Sequence, residues 1–145
     1  MEKLKFDSGV KEYDLGCGVL RFNPSDPNLY SRFLDGAEEI QKVEKELLEK
    51  AKSAQNDPDG KLTVRLLVEA DQKMKSLLQK VFGSGNDFDE ILGGVNLLAV
   101  AENGQRVVTN LMEALQPVLI QGAEICARDK TEAAVKAAKK RRAAL

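Results

Sequence analysis

The chain contains no histidine and no tryptophan, and only two cysteines. Without histidine it lacks the commonest general acid or base near neutral pH, the commonest metal ligand and every histidine-containing triad. Cys17 and Cys126 are too few for a cysteine zinc site and too far apart for a disulfide framework, a usage typical of a reducing compartment. Aromatic residues are scarce, so a core must come mainly from Leu, Val, Ile and Ala, a palette that favours helices. Long apolar runs are missing too. The longest, Leu97 to Ala101, falls far short of the roughly 20 residues that span a bilayer, and "MEKLKFDSGV" has no signal-peptide core. The expectation is a cytoplasmic protein without a membrane partner.

At 145 residues the chain fits one domain, large enough to bury about 70% of its unfolded surface. Formal charge is nearly balanced, with 22 Lys and Arg against 23 Asp and Glu, but unevenly placed. From Arg128 onward seven basic residues face only Asp129 and Glu132, so the preceding part is acidic. Residues 1–127 read as a single helical domain with an N-terminal β-hairpin, and 128–145 as a basic, Ala-rich tail.

Within residues 3–23, "LKFD", "VKEYDL" and "GVLRFN" suggest two or three short antiparallel strands, divided by "DSG" and "GCG". Glycine on both sides of Cys17 suits a tight turn, and "DLGCG" supplies no cationic neighbour to activate the thiol, so Cys17 reads as a turn residue rather than a nucleophile. Asp26 followed by Pro27 marks a helix start, and Tyr30, Phe33, Ala37, Ile40, Leu47 and Ala51 continue at helical spacing to about Ala54, with Gly36 a local weakness. "QNDPDGK" is a turn. Leu62, Leu66, Ala70, Met74, Leu77 and Val81 then mark a second long helix, giving an antiparallel αα-hairpin.

"GSGND" breaks the chain, Asn86 or Asp87 caps a short helix "FDEILGG", and "VNLLAVAENG" is helix or loop. Beyond Gln105 a last helix carries Val108, Leu111, Met112, Leu115, Leu119 and Ile120, with Pro117 either kinking it or starting a new one. After Ile125 only Val135 and Leu145 are large and apolar, so the tail should project or fray. The expected class is mainly α with a small N-terminal antiparallel β element.

Motifs with chemistry are few. Glu38/Glu39, Glu44/Glu46 and Asp87/Asp89 read as solvated faces and caps. "GSGNDFDE" lacks the ligand spacing of a calcium loop, and "GSG" and "LGG" lack a preceding strand and a P-loop lysine, leaving them as hinges. "KKRR" at 139–142 has no interleaved aromatics, which argues against nucleic acid and for a solubilising or acid-partner-binding tail. No catalytic, cofactor-binding or metal-binding residue stands out. The candidate partner-binding stripe is Leu111, Leu115, Val118, Leu119 and Ile120, whose alternative use is to complete the core.

Three stretches together carry a resemblance: "KEYDLGCGVLRFNPSDPNLYSRFLD", "FDEILGGVNLLAVAENGQRVV" and "NLMEALQPVLIQGAE". With them most of the chain resembles the tail-assembly chaperones of long-tailed bacteriophages, in the branch found in prophages of Gram-positive hosts. The resemblance implies a mostly helical, non-enzymatic protein of the host bacterial cytoplasm. It would bind and solubilise the tape-measure protein, self-associate, and be displaced as the major tail tube protein polymerises. It also implies that a frameshifted C-terminal extension could arise near Lys139 and Lys140. A structural minor tail or connector protein of the virion is the alternative.

Overall fold

The computed structural model describes residues 1–54 and 56–143, and the backbone alone over 129–134. Two strands, β1 (Lys11–Asp14) and β2 (Val19–Phe22), precede α1 (Pro27–Ser53), α2 (Lys61–Phe82), the single-turn α3 (Phe88–Ile91) and α4 (Val107–Ala143). The chain is mainly helical with a two-stranded antiparallel sheet, as its composition and spacing indicate.

The hairpin pairs Lys11 with Phe22, Glu12 with Arg21, Tyr13 with Leu20 and Asp14 with Val19. Its turn is built at Gly16, whose φ of 91° is open to glycine and strained for most side chains. The Asp14 carboxylate accepts from the Gly16 N–H at 2.8 Å and the Leu15 N–H donates to the Gly18 carbonyl at 2.9 Å. Cys17 is the exposed residue between them, a turn position. Of the two or three strands expected, two form. "LKFD" stays outside the sheet, with Leu4 and Phe6 exposed.

α1 begins where "DP" places it: the Asp26 carboxylate accepts from the Asn28 N–H and Pro27 occupies the first turn. At 27 residues it is about 40 Å long. Gly36 acts as more than a weak point. It is buried, and a Cβ there would lie 2.6 Å from Cγ2 of Val81, so glycine lets α1 and α2 close on each other. The second helix starts after Gly60, with the Asp57 carboxylate accepting from the Thr63 N–H at 3.0 Å. The Asp57 carboxyl is held below its usual range, chiefly by that bond. Of the two capping candidates, Asp87 caps α3, accepting from the Asp89 and Glu90 N–H groups. Residues 95–106 are loop, and their carbonyls start the last helix: Val108 donates to Leu97 and Val107 to Ala99.

α4 runs through Pro117 as one element, so no new helix begins there. Pro117 and Glu113, one turn apart, are both exposed, so the carbonyl that loses its donor faces water. The helix is anchored by its first half. Gly122 passes so close to the loop before α1 that a Cβ would sit 1.8 Å from the Pro24 carbonyl oxygen. Beyond it Ile125 and Val135 are exposed, as are 135–143, so the described part of the tail is helical and projects; Leu145 lies outside the described residues.

The core gathers Leu20 and Phe22 of the hairpin, Leu29, Phe33 and Ile40 of α1, Met74, Leu78 and Phe82 of α2, and Val108, Leu111, Leu115 and Leu119 of α4. The few aromatics are concentrated: Tyr13 stacks on Phe22 at 4.7 Å, Phe22 meets Phe82 edge-on at 5.0 Å and Phe82 meets Phe88 at 5.6 Å. This row of rings ties the sheet to α2 and α3.

Candidate functional site

The stripe singled out on α4 is divided by the fold. Leu111, Leu115 and Leu119 are buried in the chain's own core and Val118 packs against it, half-buried. Of the five, Ile120 alone is exposed, at 38%. The physical reason is that the helical hairpin leaves one side of α1 open, and the apolar edge of α4 fills it. The alternative reading of the stripe, completion of the core, therefore accounts for Leu111, Leu115 and Leu119, and these three present no free surface.

The surface that α4 does offer lies one step further round the helix. A groove of about 330 Å³ runs between α1 and α4. Phe33, Leu34, Ala37 and Ile40 line it from α1, and Val108, Thr109 and Met112 from α4. Phe33, Ile40 and Val108 are buried and form its floor, while Leu34 is exposed at its edge. On α4 the groove residues Thr109, Glu113 and Gln116 continue at helical spacing to Ile120, so Ile120 prolongs this face. Glu44 and Glu113 stand among its lining residues and no Lys or Arg does. An apolar trough with acidic margins is shaped for a helix whose apolar stripe is flanked by basic residues.

A second feature carries charge inside the fold. Lys75 is 7% and Asp71 8% exposed, and the Lys75 ammonium lies 3.0 Å from Asp71 Oδ2 and 2.6 Å from Asp89 Oδ1. Asp71 Oδ1 also accepts from the Leu97 N–H at 2.8 Å. Burial pushes the Lys75 pKa down, but the hydrogen bonds and charges of Asp89 and Asp71 outweigh it and hold it above the ordinary lysine value. A lysine kept protonated this way is a structural cation rather than a nucleophile. It clamps α2 to α3 and to the loop that starts α4.

Helical spacing misses this cluster, because Asp71 and Lys75 look like an ordinary exposed i, i+4 pair until α3 and the 95–98 loop cover them. The position of Lys75 between Met74 and Leu78 on the buried side of α2 was the available signal. Asp87 and Asp89, adjacent in motif, have separate roles: the first caps α3, the second faces Lys75. Cys17 sits against Gly93, whose added Cβ would lie 3.1 Å from the thiol sulfur, and Cys126 is half-buried on α4. Among the described residues no group of three or more His, Cys, Asp or Glu is placed to hold a metal ion, and no helix is long and apolar enough to cross a membrane.

Compared with protein-family models, curated proteins and solved structures, the chain matches none.

Proposed function

We propose that this chain is a non-enzymatic assembly chaperone that shields an elongated helical partner, the tape-measure protein of a long-tailed phage, in the cytoplasm of the host bacterium. The observation that carries the reading is the α1–α4 groove, an open apolar trough with Glu44 and Glu113 among its lining residues. A coiled-coil-prone partner exposes apolar helical stripes before assembly, and covering one turn after another of such a stripe keeps the partner from aggregating. The groove is open to solvent, which suits a hold that tube protein can displace. The sequence resemblance supplies the partner's identity, and the groove supplies the means.

Co-expression tests it. The tape-measure protein is expected to stay in the soluble fraction with this chain and to precipitate without it, and to precipitate again when Met112→Glu and Leu34→Glu are introduced together into the groove. A tape measure equally insoluble with and without the chain would count against the reading. Mass spectrometry of finished virions separates it from a minor tail or connector protein, which would remain in the particle.

A further inference from the structure

The two edges of the small sheet are treated differently. On the β2 side, the Asn86 carboxamide accepts from the Arg21 N–H at 2.9 Å and donates to the Arg21 carbonyl at 2.8 Å. Since Arg21 turns both backbone groups towards Asn86, its antiparallel partner Glu12 must turn its own away from β2, and so must Asp14 two residues on. No side chain or turn among the described residues bonds these outward groups of β1. On the β2 edge the outward groups of Arg21 are therefore bonded by Asn86, whereas on the β1 edge neither Glu12 nor Asp14 has such a partner among the described residues.

The segment preceding β1 has the pattern of a strand yet pairs with no strand among the described residues. In "KLKF", Leu4 is 91% and Phe6 82% exposed, and Lys3 and Lys5 alternate with them. The faces of β1 carry the complementary pattern. Tyr13 lies on the face that stacks on Phe22, and Glu12 lies on the opposite face, 3.1 Å from Arg21. An antiparallel strand with Lys5 opposite Glu12 and Lys3 opposite Asp14 would exchange backbone bonds with both outward residues. The same register sets Leu4 opposite Tyr13 and Phe6 opposite Lys11, on the aromatic side. A slip of one residue would reverse every face, setting lysines on the rings and Leu4 and Phe6 among the carboxylates.

We propose that Lys3–Phe6 is an exchange strand that adds to the open edge of β1 in a second copy of this chain. Within one chain the route is held away: the Ser8 carbonyl accepts from Asn23 Nδ2 at 2.9 Å, and the Asp7 carboxylate accepts from the Gly9 N–H at 2.8 Å. These bonds fix residues 7–9 beside the end of β2 while Lys3–Phe6 lie off the sheet. Exchange between copies satisfies the open edge, covers Leu4 and Phe6, and adds Lys5 to the Arg21–Glu12 pair. The inference concerns copies of this chain and stands apart from the groove and its partner.

The test uses two full-length single-cysteine chains in a Cys17→Ser, Cys126→Ser background, one Lys5→Cys and tagged, the other Glu12→Cys and untagged. Mixed and oxidised, they are expected to give mainly the mixed disulfide dimer, since paired strand residues lie about 5.5 Å apart at Cα, within disulfide reach. Light scattering across a concentration series should show the natural chain associating, and Phe6→Asp weakening that association about tenfold or more with an unchanged circular dichroism spectrum. A natural chain that remains monomeric, a Phe6→Asp chain that associates as well as the original, or a chain carrying both cysteines that closes only an internal disulfide would each overturn the proposal.

Discussion

The side-chain amide of Asn86 completes the backbone of Arg21. It takes the place of a neighbouring strand's peptide group, bonding both the N–H and the carbonyl of Arg21, and its NH2 also donates to the Phe82 carbonyl at 3.0 Å. Asn86 is buried, and its one side chain joins the sheet, the end of α2 and the turn before α3.

Replacing Asn86 by alanine would leave the buried Phe82 carbonyl and the partly buried N–H and carbonyl of Arg21 without this partner. We expect Asn86→Ala to lower stability by about 2–4 kcal/mol in urea unfolding. Asn86→Asp should recover little of this, because a carboxylate cannot donate to the carbonyls of Arg21 and Phe82. Equal stability of Asn86→Asp and the natural chain would show that the donor half of the amide is dispensable.

The Lys75 cluster predicts a dependence on alkaline pH. The folded-state pKa is raised, so the ammonium's contribution is whole below the unfolded pKa of about 10.4 and is lost as pH rises through the higher folded value. Lys75→Met should cost about 3–5 kcal/mol near neutrality, since it strands Asp71 in the interior. Its unfolding midpoint should then fall less than that of the natural chain between neutral pH and pH values above the lysine range. Parallel declines would remove Lys75 from the account.

Two glycines offer a matched comparison. A methyl at Gly122 collides with the Pro24 carbonyl, whereas a Cβ at Gly85 meets nothing within 4 Å. Gly122→Ala is expected to cost about 1–3 kcal/mol despite the better helix propensity of alanine, and Gly85→Ala to change stability by no more than about 0.5 kcal/mol. A stabilised Gly122→Ala chain would mean that α4 does not lie against the loop at residues 23–25.

Neighbouring positions on α4 should behave oppositely. Leu115 is buried, and Leu115→Ala should cost about 2–5 kcal/mol. Ile120 is exposed, and Ile120→Ala should cost less than about 1 kcal/mol in the isolated chain while reducing the solubility of a co-expressed tape measure. Thermal melts and the solubility assay read the two effects separately.

Where the chain's signals were local, they were legible. Asp26–Pro27 placed the start of α1, the Asn86/Asp87 pair marked the start of α3, and the spacing of Ala70, Met74 and Val81 gave the buried side of α2, although Leu62 of the same stripe is exposed and Leu77 half-buried beside the buried Leu78. The third-strand signal in "LKFD" was equally local, yet no strand among the described residues pairs with it. The stripe on α4 was legible as apolar but not as inward or outward, because periodicity reports that a face is apolar and leaves open what covers it. The α1–α4 groove was illegible, since its residues come from helices some 70 positions apart whose relative rotation no local pattern encodes.

The sequence by itself determined the elements: a glycine-turned hairpin, two long amphipathic helices, a capped single turn and a helix that runs out of large apolar residues. These follow from propensity, capping and periodicity, which act over a few residues. Tertiary structure alone decided that Leu111, Leu115 and Leu119 face inward, that Lys75 is enclosed between two carboxylates, and that Asn86 bonds the outward backbone of Arg21 on β2. Those outcomes depend on which surfaces meet, and burial and hydrogen-bond partnership belong to the meeting rather than to either segment.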